Sequence, residues 1–144
     1  MNDCVELKSI TLPSDTMEVV GTIGSKNLTS VNLSNVRILK DSFKSCSGLT
    51  KVNLPDSLLS IEGAFGGCTN LTTVTGGKNV RYVGDSSFAN CSKLKSFGSI
   101  GKNLSVLDHR AFTGTGWYNN QKDGVVYFQN FAYCYKALCR KILS

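Results

Sequence analysis

Six cysteines and a single histidine are the residues of this 144-residue chain best suited to chemistry, and the spacing of the cysteines restricts what they can do. Three sit in copies of F-x-x-C-x-x-L that begin at Phe43, Phe65 and Phe88, 22 and 23 residues apart, and Cys4 occupies the same C-x-x-L slot upstream. A disulfide needs two side chains that face each other with a specific torsion, and zinc sites use cysteines at short, characteristic spacings. Cysteines in equivalent slots of a repeat point the same way instead. That favours a buried, reduced column of small hydrophobes over oxidation or metal binding. Cys134 and Cys139 lie outside the repeat and are the one pair for which a bridge is feasible.

His109 lies between Asp108 and Arg110, just before Ala111-Phe112. A nucleophilic site needs a Ser or Cys within hydrogen-bond reach of the imidazole. Cys91, about one turn away, belongs to the core column, so His109 reads as a surface-turn residue. The chain contains no HExxH, phosphate-binding loop, G-x-G-x-x-G or pocketed carboxylate pair, and Gly76-Gly77-Lys78 reads as a turn between strands. We therefore expect no catalytic residue, no cofactor and no metal ligand. N-L-[ST] sequons occur at Asn27, Asn32, Asn70 and Asn103. They arise where a polar residue precedes a repeat Leu or, for Asn32, inside a strand, and they matter as glycan acceptors only in a eukaryotic secretory pathway.

The elements that position these residues are the repeats. Weaker copies extend the frame to Cys4-Val5-Glu6-Leu7 and Ser25-Lys26-Asn27-Leu28 upstream and to Phe112-Thr113-Gly114-Thr115 downstream. A period of 20 to 50 residues marks a solenoid, whose units stack because none can bury its apolar face alone. Each copy opens with an alternating stretch: Leu7/Ile10/Leu12, Leu28/Val31/Leu33, Leu49/Val52/Leu54, Leu71/Val74 and Leu94/Phe97. This pattern predicts a short strand with its apolar positions inward. A polar break follows, and then a second apolar pair (Val36/Leu39, Leu58/Ile61, Val80/Val83, Leu104/Leu107). The expected fold is a β-rich solenoid of about five turns of 21–24 residues, with parallel strands on one wall. Stacking at about 4.8 Å per level places Phe43, Phe65, Phe88 and Phe112 in one aromatic column.

Hydrophobic content of 41% and charged content of 18% fit one ordered domain. No apolar run reaches the length of a membrane-spanning helix, and Met1-Asn2-Asp3-Cys4 lacks the basic start and apolar core of a secretory signal. The net charge of +6 is scattered. Nucleic-acid binders concentrate such charge on one face with interleaved aromatics, whereas the aromatics here belong to the core, so no nucleic-acid partner and no membrane insertion are expected.

With its columns laid out, L-x-x-I/V-x-L-P-x-x-L-x-x-I-x-x-x-A-F-x-x-C resembles the BspA-like leucine-rich repeat. The match is best at Leu49, Val52, Leu54, Pro55, Leu58, Ile61, Ala64, Phe65 and Cys68. The resemblance implies a leucine-rich-repeat superhelix that is part of a bacterial cell-surface or secreted protein and binds macromolecules. The type member is an adhesin for extracellular-matrix and plasma proteins such as fibronectin and fibrinogen. Better-known leucine-rich repeats follow the strand with an Asn ladder; counted from the strand, only Asn35 lies in that slot, with Ser14 and Asp56 elsewhere. This favours a second short strand or extended segment on the opposite wall over an outer layer of helices.

The organisation expected is repeats over 1–118, capping strands over 119–136 and a tail over 137–144. Val125 to Phe128, Gln129-Asn130 and Phe131 to Tyr135 read as a β-hairpin-like cap. The amino-terminal end lacks a covering segment, which suggests a piece of a longer repeat protein or an edge open to self-association. The solvent-facing strand positions form the candidate binding face: Ser9, Thr11, Ser30, Asn32, Lys51, Asn53, Thr73, Thr75 and Ser96, with Gly98 beside the last. Such rows of hydroxyl and amide groups suit a protein or glycan ligand, with a host extracellular-matrix protein as the partner the resemblance implies. The same residues would also serve simply to keep a solvated sheet soluble. A structural spacer or self-association segment is the alternative function.

Overall fold

The computed structural model describes residues 7–136. The fold is a solenoid with two strand-bearing walls. The alternating stretches form β1 (Ser9–Thr11), β3 (Ser30–Asn32), β5 (Lys51–Leu54) and β7 (Thr73–Gly76) on the first wall. The second apolar pairs form β2 (Glu18–Val20), β4 (Ile38–Lys40), β6 (Ser60–Glu62), β8 (Tyr82–Val83) and β9 (Val106–Leu107) on the second. All pairings between levels are parallel and in register, so that Val19, Leu39, Ile61, Val83 and Leu107 lie directly on one another.

The parallel strands of the first wall are accompanied by the second short strand expected on the opposite wall. The second wall is the more regular of the two, a single five-stranded sheet in the order β2-β4-β6-β8-β9, whereas the first is divided into two-stranded sheets β1-β3 and β5-β7. Among the described residues four levels carry a strand on the first wall. At the fifth, Leu94 and Phe97 are buried as expected, but the backbone leaves the strand path. Gly98 there adopts φ +61°, where any Cβ would lie 2.9 Å from the Gly76 and Val74 carbonyl oxygens.

The interior between the walls consists of columns. Phe43 and Phe65 stack at 5.8 Å and Phe65 and Phe88 at 5.4 Å, with interplanar angles of 19° and 17°; Phe112 continues the column, tilted by 43°. All four are fully buried. Phe97 replaces the aliphatic residue seen at Val52 and Val74. Its ring stacks on Phe112 at 4.0 Å, which fuses the aliphatic and aromatic columns at the carboxy-terminal end.

Backbone bonds tie each level to the next. The amides of Phe43, Phe65 and Phe88 donate to the carbonyls of Ala64, Ser87 and Ala111 one level on, at 2.7, 2.9 and 2.9 Å. Two residues after each Phe the chain turns through positive φ, at Ser45, Gly67, Asn90 and Gly114. Asn tolerates this region and Gly prefers it. The turn delivers the following Cys or Thr side chain into the core.

The expected cap is present as β10 (Gly124–Phe128) and β11 (Phe131–Lys136), antiparallel around Gln129-Asn130. A short helix, α1 (Gly116–Asn119), precedes it and had no counterpart in the sequence reading; its N-cap Thr115 accepts a hydrogen bond from the Tyr118 amide at 3.0 Å. Trp117, Phe128 and Tyr133 close over Phe97 and Phe112 in edge-to-face and tilted contacts. The Phe112 amide, which has no further level to bond, donates to the Tyr133 hydroxyl at 2.8 Å. Lys136 closes the other side by donating from Nζ to the Tyr118 and Asn119 carbonyls. The proposed amino-terminal edge at residues 1–6, the tail, Cys4 and the Cys134–Cys139 pair involve residues outside the described ones.

Candidate binding face

Eight of the nine face residues lie where the alternation puts them, with side chains on the solvent side of the first wall. Ser9 pairs with Ser30 and Thr11 with Asn32 across β1-β3, and Lys51 pairs with Thr73 and Asn53 with Thr75 across β5-β7. Ser96 is exposed too, but stands beyond β7 in the segment without a strand. The structure thus brings the nine together as two short registered patches and one outlying residue.

Their hydrogen bonding is partly committed. Thr75 Oγ1 donates to Asn53 Oδ1 at 2.9 Å. Asn32 Oδ1 accepts from both the amide and the hydroxyl of Ser34, at 3.0 and 2.7 Å. Ser9, Thr11 and Ser30 present exposed hydroxyls, and Lys51 supplies the one charge of the set. A wall of this kind can form many weak hydrogen bonds at fixed spacing. It holds no group activated for covalent chemistry.

Among the described residues the repeat cysteines are closed off inside, whereas Cys134 is half-buried on β11. Cys46, Cys68 and Cys91 are fully buried thiols, and their Sγ atoms donate to the Ile23, Phe43 and Phe65 carbonyls at 3.4, 3.2 and 3.1 Å. Ser25 and Thr115 occupy the same slot at either end and also donate to carbonyls, of Leu7 and Phe112. The slot therefore requires a small side chain with a hydrogen to give. Burial pushes the Cys46 thiol up, and the neighbouring Cys91 thiol together with burial pushes Cys68 up further, so both stay protonated. His109 is 70% exposed, 3.7 Å from Asp108, on a turn where Arg110 also reaches Asp85 at 3.2 Å. An exposed imidazole and a sulfur buried against Phe65 cannot act on one substrate. Among the described residues no group of three His, Cys, Asp or Glu is placed to hold a metal ion.

The sequence reading missed an Asn ladder. Asn35, Asn79 and Asn103 donate from Nδ2 to the Ser14, Asp56 and Lys78 carbonyls of the preceding level at 3.0, 2.8 and 2.7 Å, and Ser57 Oγ donates to the Val36 carbonyl at 2.8 Å. The register is set by the residue immediately before Val36, Leu58, Val80 and Leu104. Counting forward from the strand fails because the turn from Leu33 to Asn35 is one residue shorter than those from Leu54 to Ser57 and from Gly76 to Asn79. This ladder coexists with strands rather than helices on the second wall. It also accounts for one sequon, Asn103; Asn70 similarly spends its amide on the Ser47 carbonyl at 2.8 Å.

Stacked parallel levels, an Asn ladder and an L-x-x-V-x-L core define a leucine-rich-repeat solenoid. Within that class, the family model for the BspA-type leucine-rich repeat region matches residues 24–137 in six copies, and the chain belongs to that family. Comparison with curated proteins and with solved structures finds no match.

Proposed function

We propose that this chain is a non-catalytic binding module of a bacterial surface or secreted protein, and that its first wall meets a protein or glycan ligand in adhesion. One observation carries the reading: small polar side chains in registered rows on a wall where they stand exposed. Extended faces of stacked repeats are the surfaces such proteins use for binding. The interior is committed to packing, the Cys46, Cys68 and Cys91 thiols are buried and His109 stands on an exposed turn apart from them, which supports a role without chemistry. No helix of the described residues is long and apolar enough to cross a membrane.

Binding of the purified chain to immobilised extracellular-matrix extract tests the reading. Specific, saturable capture that is lost in Lys51→Glu/Asn53→Ala, with the melting temperature unchanged, supports it. Capture that survives the double substitution removes this wall as the binding face. Absence of saturable capture favours the spacer role.

A further inference from the structure

The outer face of the second wall carries the apolar surface that the first wall lacks. Met17, Val20, Leu59 and Val106 stand 55%, 65%, 38% and 50% exposed there, with Ile38 and Tyr82 half-buried among them. Parallel sheets are as a rule covered on both faces, and isolated exposed apolar residues mean less than a group of them on one face.

Along one edge of this face runs a column with one residue per level: Met17, Arg37, Leu59, Arg81 and Ser105. It is fixed by backbone bonds from Arg37 to Met17, Leu59 to Arg37, Arg81 to Leu59 and Ser105 to Arg81, at 2.7 to 2.9 Å. Levels about 4.8 Å apart place the Arg37 and Arg81 backbones about 10 Å apart, with Leu59 midway. Both arginines are exposed, and neither pairs with a carboxylate among the described residues, whereas Lys40 and Arg110 do.

We propose that this column is a docking ridge for an acidic amphipathic helix of another protein. A helix rises 1.5 Å per residue, so carboxylates at i and i+7 lie on one side about 10.5 Å apart, with positions i+3 and i+4 between them. Laid along the column, such a helix sets its two carboxylates on Arg37 and Arg81 and its apolar residues on Leu59. Its flank covers Ile38 and Tyr82. Arginine suits this pairing because its planar fork meets a carboxylate in two hydrogen bonds. A second copy of this chain fits worse. A two-fold axis parallel to the strands through β6 sets Arg37 against the partner's Arg81 and Glu62 against itself; one along the stack sets Arg37 against the partner's Lys40. Like charges juxtaposed in an interface are costly.

The test uses a fluorescein-labelled, helix-stabilised peptide with Glu at i and i+7 and Leu at i+3 and i+4 on an Ala/Gln background, titrated by fluorescence anisotropy. Saturable binding is expected. Arg37→Glu/Arg81→Glu should weaken it by about tenfold or more, and moving the second Glu to i+5 by roughly fivefold; Arg37→Gln/Arg81→Gln should weaken it less. Lys51→Glu/Asn53→Ala should leave it unchanged, which separates this ridge from the first-wall reading. The proposal is overturned by the absence of saturation at about 1 mM peptide. Equal binding by the shifted peptide, or by a charge-reversed variant of unchanged circular dichroism, also overturns it. Tighter capture of a heparin oligosaccharide through the same arginines assigns the ridge to a sulfated glycan instead. A dimer of the parent chain abolished by Leu59→Asp assigns it to a second copy.

Discussion

Tyr133 occupies the place where a further level would have put a carbonyl, and its hydroxyl accepts the bond that the Phe112 amide would otherwise lack. Replacing Tyr133 with Phe keeps the ring contacts and removes the acceptor. The buried amide is then unsatisfied, at a cost of about 1–3 kcal/mol, measurable by urea unfolding. The same residue gives a pH signature. Burial pushes the phenol from 10 up to about 12, so the folded state holds its proton more tightly than the unfolded chain. The stability this confers is complete below pH 10 and is lost as pH rises from 10 to about 12. The stability difference between the parent and Tyr133→Phe should therefore shrink across that window, while other titrations shared by both chains cancel. A constant difference would mean that the phenol is not shielded as described. The Asn ladder makes a smaller contribution: Asn79→Ala should cost about 0.5–1.5 kcal/mol in the same assay. It stayed hidden in the sequence because one rung is Ser57 and the turn that holds Asn35 is one residue shorter than those that hold Ser57 and Asn79.

At the scale of the element, the phenylalanine column was legible because identity at a fixed period says more than any single turn. Four rings at 22-to-24-residue spacing have one economical arrangement, and the structure shows it. Phe65 lies between two stacked neighbours and is fully buried. Phe65→Ala should cost about 3–5 kcal/mol and lower the melting temperature by roughly 10 °C; an unchanged midpoint would sink the column as the source of stability. The cap was only half legible. Its hairpin could be read from an alternating apolar run interrupted by Gln129-Asn130. Helix α1 could not, since its four residues are too few for a periodic signal and only Thr115 marked its start. The break in the first wall was faint in the sequence, because Leu94 and Phe97 keep the apolar pattern and the redirection is marked by Gly98. The nine face residues were placed by alternation alone, which fixes their orientation but carries no information on what they touch.

For the whole molecule, the three buried thiols sample successive levels and report on cooperativity. In a stack whose levels contact only their neighbours, stability is a sum of level and interface terms, and unfolding can in principle start at one end. The fused aromatic cluster around Phe97 anchors the carboxy-terminal end, whereas β1 has only β3 beside it among the described residues. Labelling with a thiol reagent under mild denaturant, read by peptide mass spectrometry, should modify Cys46 before Cys68 and Cys91. Simultaneous labelling of all three would show one all-or-none unit.

The sealed carboxy-terminal face limits how copies can join. With the Phe112 amide taken by a phenol and the α1 carbonyls held by an ammonium group, these backbone groups are already satisfied within the chain and offer a second copy no hydrogen bond. Growth into a fibre requires a plug and a socket on every subunit. A copy that stacked directly on this face would first have to lift Trp117, Phe128 and Tyr133 away from Phe97 and Phe112, so extension of the column carries the cost of opening the cap.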